Sequence, residues 1–201
     1  DHVCRVIHCS LKLYDVWSSL GANTTSFTKE ELVFAAINHD LGKVGSRTED
    51  YYIPNDSDWH VKRGQIYKIN PKLNFMKVPD RSIYILQQAG IEISENEYLA
   101  IKLHDGLYDD ANKSYLMSWS PETKPRTSLI FILHQADLMA ARIEFEREWL
   151  PKFKGNLPTQ EKNFKLDLKE TTTKKQSIKT KALGNIKSSG LKNVMDDFFN
   201  D

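Results

Sequence analysis

Three observations predict an all-α fold for this chain. Apolar residues recur at intervals of three and four along several segments, which is the spacing of a helix face. Two segments begin with capping boxes, Thr28 with Glu31 and Ser94 with Glu97, whose side chains satisfy free backbone amides at a helix start. No segment alternates apolar and polar residues around a hairpin turn, the pattern expected of a strand pair. We therefore expect the folded body to be a helical bundle.

The first predicted helix runs from about residue 1 to residue 20 and carries one apolar stripe. At about 100° per residue, the stripe contains His2, Val6, Cys9, Leu13, Trp17 and Leu20. His2 is thus expected to face the core. His8 lies about 120° away, on a polar side that also contains Arg5, Lys12, Asp15 and Ser19. We expect His8 to be solvated.

The second helix begins at the Thr28 capping box and leads into an adjacent histidine and aspartate. Its inward face contains Leu32, Ala35, Ala36 and His39. Asp40 follows directly, at the end of this apolar segment. A carboxylate in apolar surroundings needs a cation, a metal ion or several hydrogen bonds. A helix C-terminus with a polar edge is the structural alternative for this pair.

A long connection, SRTEDYYIPNDSDWHVKRGQ, follows the second helix and contains His60. Loops of this length inside compact domains are often functional. Asp80 is expected to cap a short helix that ends at Gly90. This connection is therefore a candidate part of a functional site.

Two further helices carry polar groups that periodicity alone does not explain. The Ser94 capping box opens a helix that contains Ile101 and His104. The last helix, TSLIFILHQADLMAARIEFERE, is apolar for about a turn and a half before Asp137 appears. Burial of Asp137 raises the same need for compensation as burial of Asp40.

Charge and composition divide the chain into three parts. Residues 151–192 contain 11 lysines and three acidic residues, although the whole chain carries a net charge of only +1. We interpret residues 1–150 as the folded domain, 151–190 as a flexible basic tether and 191–201 as a short interaction peptide. Asp1 stands where a methionine would begin a chain, and we expect the natural N-terminus to be truncated.

Composition also excludes some classes of protein. No run approaches the roughly 18 apolar residues of a membrane span, and no signal peptide precedes the first helix. Cys4 and Cys9 have the spacing of neither a redox pair nor a zinc knuckle, so we expect reduced, space-filling thiols. These features predict a cytoplasmic protein without a membrane partner.

The chemistry-bearing residues form an ordered series along the chain. Its members are His2, His39, Asp40, His60, His104 and Asp137. Imidazole and carboxylate groups suit manganese, iron, cobalt or zinc, whereas magnesium tolerates fewer histidines. Taken singly, His60 is more often a loop residue, His104 a helix-end residue and Asp137 a partner of Arg142 or of a buried lysine. The complete series favours a divalent-metal site.

This series, with the phrases DHVCRV, AAINHDLGK and ILHQAD, resembles the HD-domain metal-dependent phosphohydrolases over roughly residues 1–148. HVKRG at His60 and HDGLYDD at His104 are similar to the extra histidine segments of two-metal members. The loop over residues 51–76 and the SWSPETKPRT segment look most like small HD hydrolases of large tailed phages. Cyclic-dinucleotide phosphodiesterases usually carry a double histidine and a longer glycine-tyrosine-proline signature, and the absence of both here argues against a cyclic dinucleotide as the substrate.

The resemblance implies an HD-domain helical bundle that cleaves a nucleotide phosphate or phosphodiester by metal-activated water. One ion is expected on His2, His39, Asp40 and Asp137. A second ion is expected on His60 and His104, with Asp40 bridging the two. Lys43 is expected to meet a phosphate, with a cation at a helix C-terminus as the alternative.

Several other residues are candidates for contact with the substrate, and two alternative functions remain open. Arg63, Lys62 and Arg126 are candidates for phosphate, and Tyr51, Tyr52, Trp59 and Tyr108 are candidates for stacking on a base or for local packing. A di-iron oxygenase acting on a small polar substrate is one alternative function. A noncatalytic nucleotide-binding or recruitment module is another.

The C-terminal tip, LKNVMDDFFND, carries apolar residues after a long basic stretch. Met195, Phe198 and Phe199 lie on one side of a single helical turn. The segment resembles peptides that bind a sliding clamp, although Lys192 stands where a glutamine is usual. Docking of the tip on this protein's own body is the alternative. The basic tether is also expected to attract nucleic acid weakly and nonspecifically.

Overall fold

The computed structural model of this chain describes residues 1–153, which belong to one compact unit, Asp1–Gly155. Its helices are α1 (His2–Ser19), α2 (Lys29–Asn38), α3 (Asp58–Lys62), α4 (Val78–Gln88), α5 (Glu95–Leu103), α6 (Lys113–Leu116), α7 (Leu129–Glu144) and α8 (Leu150–Phe153). A π-helical turn, Phe145–Trp149, joins α7 to α8. Short 3₁₀ turns are formed by Leu41–Val44, Gly106–Tyr108, Asp110–Asn112 and Pro121–Thr123. The prediction of a mostly helical body is confirmed.

The expectation that no strand pair occurs is wrong in one place. Strands β1 (Tyr52–Pro54) and β2 (Tyr67–Ile69) form a two-stranded antiparallel sheet in which Tyr52 lies opposite Ile69. Each strand has three residues, too few for alternation to stand out. The connection between them contains α3 instead of a two-residue turn, so no hairpin signal marks the pair.

The core lies between α1, α2, α5 and α7. Helix α1 packs along α7, and α2 and α5 contact each other and α7. Fully enclosed side chains of this core include Val6, Leu32, Ala35, Ala36, Ile101, Leu129, Ile132, Leu133 and Ala136. The predicted apolar stripe of α1 is buried at Val6 and Cys9, whereas Leu20, beyond the helix end, is 80% exposed. Cys4 is exposed, so the expectation of two space-filling thiols holds for Cys9 alone.

Both predicted capping boxes are confirmed, and they are joined to each other. The Thr28 hydroxyl accepts a hydrogen bond from the Glu31 amide at 3.1 Å, and the Glu31 carboxylate accepts one from the Thr28 amide at 2.8 Å. The same Glu31 carboxylate accepts a 2.6 Å bond from the Ser94 hydroxyl and a bond from Asn96. Burial alone would raise the pKa of Glu31, but these bonds hold it below its usual value. The starts of α2 and α5 are therefore tied together.

Helix α4 fixes the turn that follows α2. The Gly42 amide donates to the Ser82 hydroxyl at 2.7 Å, and that hydroxyl donates to the His39 carbonyl at 3.1 Å. A Cβ at Gly42 would lie 2.2 Å from the Val78 carbonyl oxygen, so only glycine lets the two segments approach this closely. The His39–Asp40 turn is consequently held from outside as well as by α2.

The C-terminal predictions fall largely outside the described residues. Helix α8 continues to Phe153, three residues into the segment assigned to the tether. The rest of the 151–190 tether and the 191–201 tip, with Met195, Phe198 and Phe199, lie outside the described residues. Within residues 1–153, none of the helices combines the length and the apolar composition needed to cross a bilayer.

Candidate metal centre

Four elements bring five polar side chains together. His2 comes from α1, His39 and Asp40 from the end of α2, His104 from the end of α5 and Asp137 from α7. Possible ligand atoms of His2, His39 and Asp40 all lie within 4.8 Å of one another, as do those of His39, His104 and Asp137. His39 belongs to both groups and is fully buried. The five residues thus form one cluster around His39.

The His39 ring is oriented by its own helix. Its Nδ1 lies 2.8 Å from the Ala36 carbonyl oxygen and must carry the proton, because a carbonyl only accepts hydrogen bonds. In the neutral ring, Nε2 then carries a lone pair. Nε2 is buried without a hydrogen-bond partner among the described residues, and it lies 3.5 Å from Asp40 Oδ2 and 3.8 Å from Asp137 Oδ1. A buried lone pair that faces two carboxylates is an arrangement that a divalent cation would compensate.

Burial lowers the pKa of His39, although the neighbouring Asp40 carboxylate opposes this shift. The neutral ring is therefore favoured at neutral pH. Neutral imidazole is the form that binds a metal ion.

His104 repeats the arrangement of His39 at the end of α5. Its Nδ1 lies 2.8 Å from the Ile101 carbonyl oxygen, which again leaves the Nε2 lone pair facing the cluster. That Nε2 lies 3.9 Å from Asp40 Oδ1 and 3.6 Å from Asp105 Oδ1. The His39 and His104 rings meet edge to face with centroids 4.9 Å apart. Asp40 therefore lies within 4.0 Å of two histidine nitrogens.

His2 bridges two carboxylates of α7. Its Nε2 lies 3.0 Å from Asp137 Oδ1, and its Nδ1 lies 3.0 Å from Glu144 Oε2. The Arg5 side chain donates to the same Glu144 carboxylate at 2.9 Å, so Arg5 is not on a freely solvated face as the helix projection had placed it. The bond to Asp137 raises the pKa of His2, although burial opposes this rise. His8, by contrast, is exposed as expected.

Asp137 is compensated by the neighbouring histidines. Burial alone would raise its pKa, but the bond from His2 and the nearby His39 and His104 rings lower it. Pairing with Arg142, the structural alternative, does not occur, because Arg142 bonds to Glu146 at 2.7 Å. Asp137 is therefore ionised and faces the cluster.

Lys43 adds a cation at the edge of the cluster. Its Nζ lies 2.5 Å from Asp40 Oδ2, and half of its side chain is exposed. Burial alone would lower the pKa of Lys43, but the bond to Asp40 raises it, so the ammonium group is charged. The Asp40 side chain is 14% exposed. Its carboxylate lies close both to the Lys43 ammonium group and to the histidines of the cluster.

A concave pocket of about 480 Å³ opens beside the cluster. Its polar lining comes from Asp40, Lys43, Lys77, His104, Asp105 and Asp109, and its aromatic lining from Tyr51, Tyr52, Phe75 and Tyr108. Phe75 and Tyr108 are 68% and 79% exposed, whereas Tyr51 is buried and donates to the Met76 carbonyl. Lys77 pairs with both oxygens of Asp109, at 2.5 and 2.7 Å. The pocket combines open aromatic faces with two lysines, each of which is paired with an aspartate.

The structure places the other predicted site residues away from this pocket. His60 lies in α3 and lines a separate depression of about 650 Å³ with residues 64–68. Its ring contacts Trp59, and its buried Nδ1 has no hydrogen-bond partner among the described residues. Arg63 stacks over Trp59 at 4.1 Å, and Arg126 is exposed. A second ion on His60 and phosphate contacts from Arg63 and Arg126 stay predictions.

Several residues at the site escaped the sequence analysis. Glu144 lies seven residues after Asp137, on the same face of α7, and this spacing is a signal that marks it. His134, three residues before Asp137, bonds through Nδ1 to the His104 carbonyl at 2.7 Å. Lys77 and Asp109 carry no local signal because only the fold brings them together.

Comparison with family models, with curated proteins and with solved structures found no match. The functional interpretation consequently depends on the geometry of the cluster and its pocket.

Proposed function

We propose that this protein is a divalent-metal phosphohydrolase of the HD-domain type that acts on a nucleotide phosphate or phosphodiester. The observation that carries the proposal is the buried His39 Nε2, which has no hydrogen-bond partner among the described residues and faces Asp40 and Asp137. Three imidazoles and two carboxylates suit manganese, iron, cobalt or zinc. The residues proposed to bind the ion are His2, His39, Asp40, His104 and Asp137.

The histidine orientations support a metal-binding role. The ring nitrogens of His39 and His104 that face away from the cluster both bond to backbone carbonyls. Such bonds fix the tautomer and direction of metal-binding histidines. His2 is instead held by Glu144, a carboxylate partner of the kind that accompanies many metal-binding histidines.

A bound divalent ion supplies Lewis-acid polarisation of a phosphoryl oxygen and lowers the pKa of water toward neutrality. The chain contributes the remaining steps. Asp40 accepts hydrogen bonds at the junction of cluster and pocket, and Lys43 presents a charged ammonium group there. We assign to Lys43 the stabilisation of negative charge on the transferred phosphoryl group.

The pocket supports a nucleotide as substrate. Lys43 and Lys77 line it as cations, and Tyr52, Phe75 and Tyr108 present partly exposed aromatic faces. Aromatic faces stack on nucleobases irrespective of base identity, and lysines bind phosphate. Tyr108 therefore keeps the substrate-binding role assigned from sequence, and Lys77 joins it.

The C-terminal tip is proposed to recruit the enzyme to a sliding clamp, with docking on its own body as the alternative. Met195, Phe198 and Phe199 would enter an apolar pocket of the partner, and the lysine-rich tether would add salt-sensitive attraction to nucleic acid. A titration of peptide 188–201 against a clamp tests this directly. Binding that a double alanine variant of Phe198 and Phe199 abolishes supports it, and absence of binding refutes it.

The catalytic proposal is tested by metal analysis joined to a phosphate-release screen. The purified full chain is depleted of metal, reloaded separately with manganese, iron, cobalt, zinc or magnesium, and assayed on nucleoside mono-, di- and triphosphates and on phosphodiesters. We expect bound metal and metal-dependent release of phosphate or of a nucleotide. A stoichiometry of two ions would support the predicted second site.

A pair of histidine variants tests whether metal binding and hydrolysis depend on the cluster. His39→Gln should remove bound metal and hydrolysis together, while His8→Gln on the exposed face of α1 should retain both. Oxygen uptake that depends on ferrous iron, without phosphate release, would move the function to the oxygenase alternative. Nucleotide binding without turnover in any metal would favour a noncatalytic module.

A further inference from the structure

A third cavity, of about 690 Å³, lies between residues 44–48 and helix α4. Its α4 side is formed by Arg81, Tyr84, Ile85, Gln88 and Ala89. No residue lines both this cavity and the pocket beside the ligand cluster. Its volume falls in the range of about 300–1,000 Å³ that is typical of small-molecule sites.

Arg81 is a buried cation with incomplete compensation. The residue is 5% exposed, and its Nε is buried without a hydrogen-bond partner among the described residues. One terminal nitrogen donates to the Asn74 carbonyl, and the guanidinium carbon lies 5.4 Å from the centre of the Tyr51 ring. None of the ion pairs between described residues includes Arg81. A buried charge without a counter-ion is costly, so an anion is the expected partner.

A second arginine lines the same cavity. Arg47 is an exposed residue and also lines the cavity, so two arginines contribute to its lining. Guanidinium groups bind phosphate through paired, charge-assisted hydrogen bonds. A phosphate monoester carries a charge of about −1.5 to −2 at neutral pH, which matches two arginines.

The remaining wall of the cavity combines apolar and aromatic side chains with the polar residues Ser46, Thr48 and Gln88. Tyr84 is 44% exposed and Val44 is 62% exposed, and Ile85 lies beside them in the lining. Exposed apolar side chains next to a buried cation suit a ligand that has an organic part as well as an anionic group. Free phosphate alone would leave much of this volume unfilled.

We propose that this cavity binds a small phosphorylated organic molecule, with its phosphate on Arg81 and Arg47 and its apolar part against Tyr84. The proposal is independent of the phosphohydrolase activity, because it uses none of the residues assigned to the metal centre or its pocket.

The test uses the full chain, kept free of metal by a chelator so that phosphate has no ion to bind. Inorganic phosphate and phenyl phosphate are titrated separately by calorimetry and by ¹⁵N-resolved NMR. We expect both probes to bind and phenyl phosphate to bind about tenfold more tightly, because its ring adds contact with Tyr84. Amide signals of residues 45–48 and 84–89 should shift, while those of residues 104–109 should not.

Three variants assign the contacts. Arg81→Gln should weaken both probes by about a hundredfold, and Arg47→Ala by about tenfold. Tyr84→Ala should remove the advantage of phenyl phosphate over inorganic phosphate. Arg142→Ala is the matched control, since Arg142 is an exposed arginine of α7 paired with Glu146.

Unchanged affinity in Arg81→Gln, or amide shifts confined to the metal pocket, would overturn the proposal. Absence of binding by both probes would do the same. Circular dichroism checks that Arg81→Gln is folded. If it is unfolded, the exposed Arg47→Ala variant decides, because unchanged affinity there contradicts the assignment.

Discussion

Helices α2 and α5 end in the same way, and comparing their ends shows what makes one of them the centre of the site. Each helix begins at a capping box and is followed by a histidine and then an aspartate. Each histidine has its Nδ1 2.8 Å from the carbonyl three residues earlier. A 3₁₀ turn follows both. The orientation of both rings is therefore a local property of a helix end.

The two aspartates have different surroundings. Asp40 is 14% exposed and lies near His39, His104 and Lys43, whereas Asp105 is 43% exposed and lies near His104. Neighbouring helices cause the difference. Ser82 of α4 holds the Asp40 turn through Gly42, whereas His134 of α7 packs against the Asp105 turn at Gly106.

The second turn depends on its glycine. Gly106 has a φ of +56°, and a Cβ there would lie 2.4 Å from the His134 ring. The same local sequence thus produces the same histidine geometry, while tertiary contacts decide which carboxylate is enclosed.

The largest expected effect is a difference in manganese affinity between variants of Asp40 and of Asp105. Asp40→Asn should weaken manganese binding by about a hundredfold or more, because Asp40 is the enclosed carboxylate of the ligand cluster. Asp105→Asn should change it by less than about threefold. Metal titration of both variants, with thermal unfolding as a control for folding, measures this. Equal losses would mean that the two turns contribute equally as ligands.

The next effect concerns the lysine that follows the first aspartate. Lys43→Ala should lower kcat by about tenfold to a hundredfold on the substrate found by the screen, because a charge contact to the phosphoryl group is lost. Metal content should be retained. Steady-state kinetics with Lys43→Arg as the conservative variant checks the role of charge. Unchanged kinetics in Lys43→Ala would leave Lys43 as a partner of Asp40 only.

A smaller effect is expected on how the stability of the fold depends on pH, and it distinguishes His2 from His39 and His104. The pKa of His2 is raised, chiefly by the bond to Asp137, so its protonated form stabilises the metal-free fold. This contribution is fully present below the unfolded-state pKa of about 6.5 and is lost as pH rises through the folded-state pKa. Urea unfolding of chelated wild type and His2→Gln should therefore converge toward high pH. A difference that grows with pH would contradict this.

Metal binding should show the opposite pH dependence. An ion requires neutral His2, so affinity should fall as pH drops below the raised pKa. In His2→Gln this part of the pH dependence should disappear, although affinity is lower throughout.

The smallest expected effect is a difference in folding stability between variants of the two capping boxes. Glu31→Ala should destabilise the fold by about 2 kcal/mol, because it removes a cap and the bonds from Ser94 and Asn96. Glu97→Ala, which removes a capping-box carboxylate alone, should cost about 1 kcal/mol. Glu30→Ala, an exposed acidic residue in the same helix turn, is the control. Denaturant unfolding measures all three, and equal costs for Glu31 and Glu97 would deny a role for the link between helices.

The features that sequence determined are those that depend on near neighbours. The starts of α2 and α5 were predictable because a capping box closes within three residues. The inward direction of His39 follows from helix periodicity, and the exposed position of His8 follows from the same projection. The strand pair was not predictable, because three residues per strand are too few for a periodic signal.

Contacts between distant residues were decided only by the tertiary structure. Arg5 and Glu144 are 139 residues apart, and Lys77 and Asp109 are 32 apart, yet each pair lies within hydrogen-bond distance. The position of His60, in α3 and in the lining of a different depression, could not be read from the chain order. Arginine is usually a surface residue, yet Arg81 is buried where α4 packs against the turn that follows Asp40. Local hydrogen bonds are encoded by adjacent residues, whereas burial and long-range charge pairing depend on which helix faces meet.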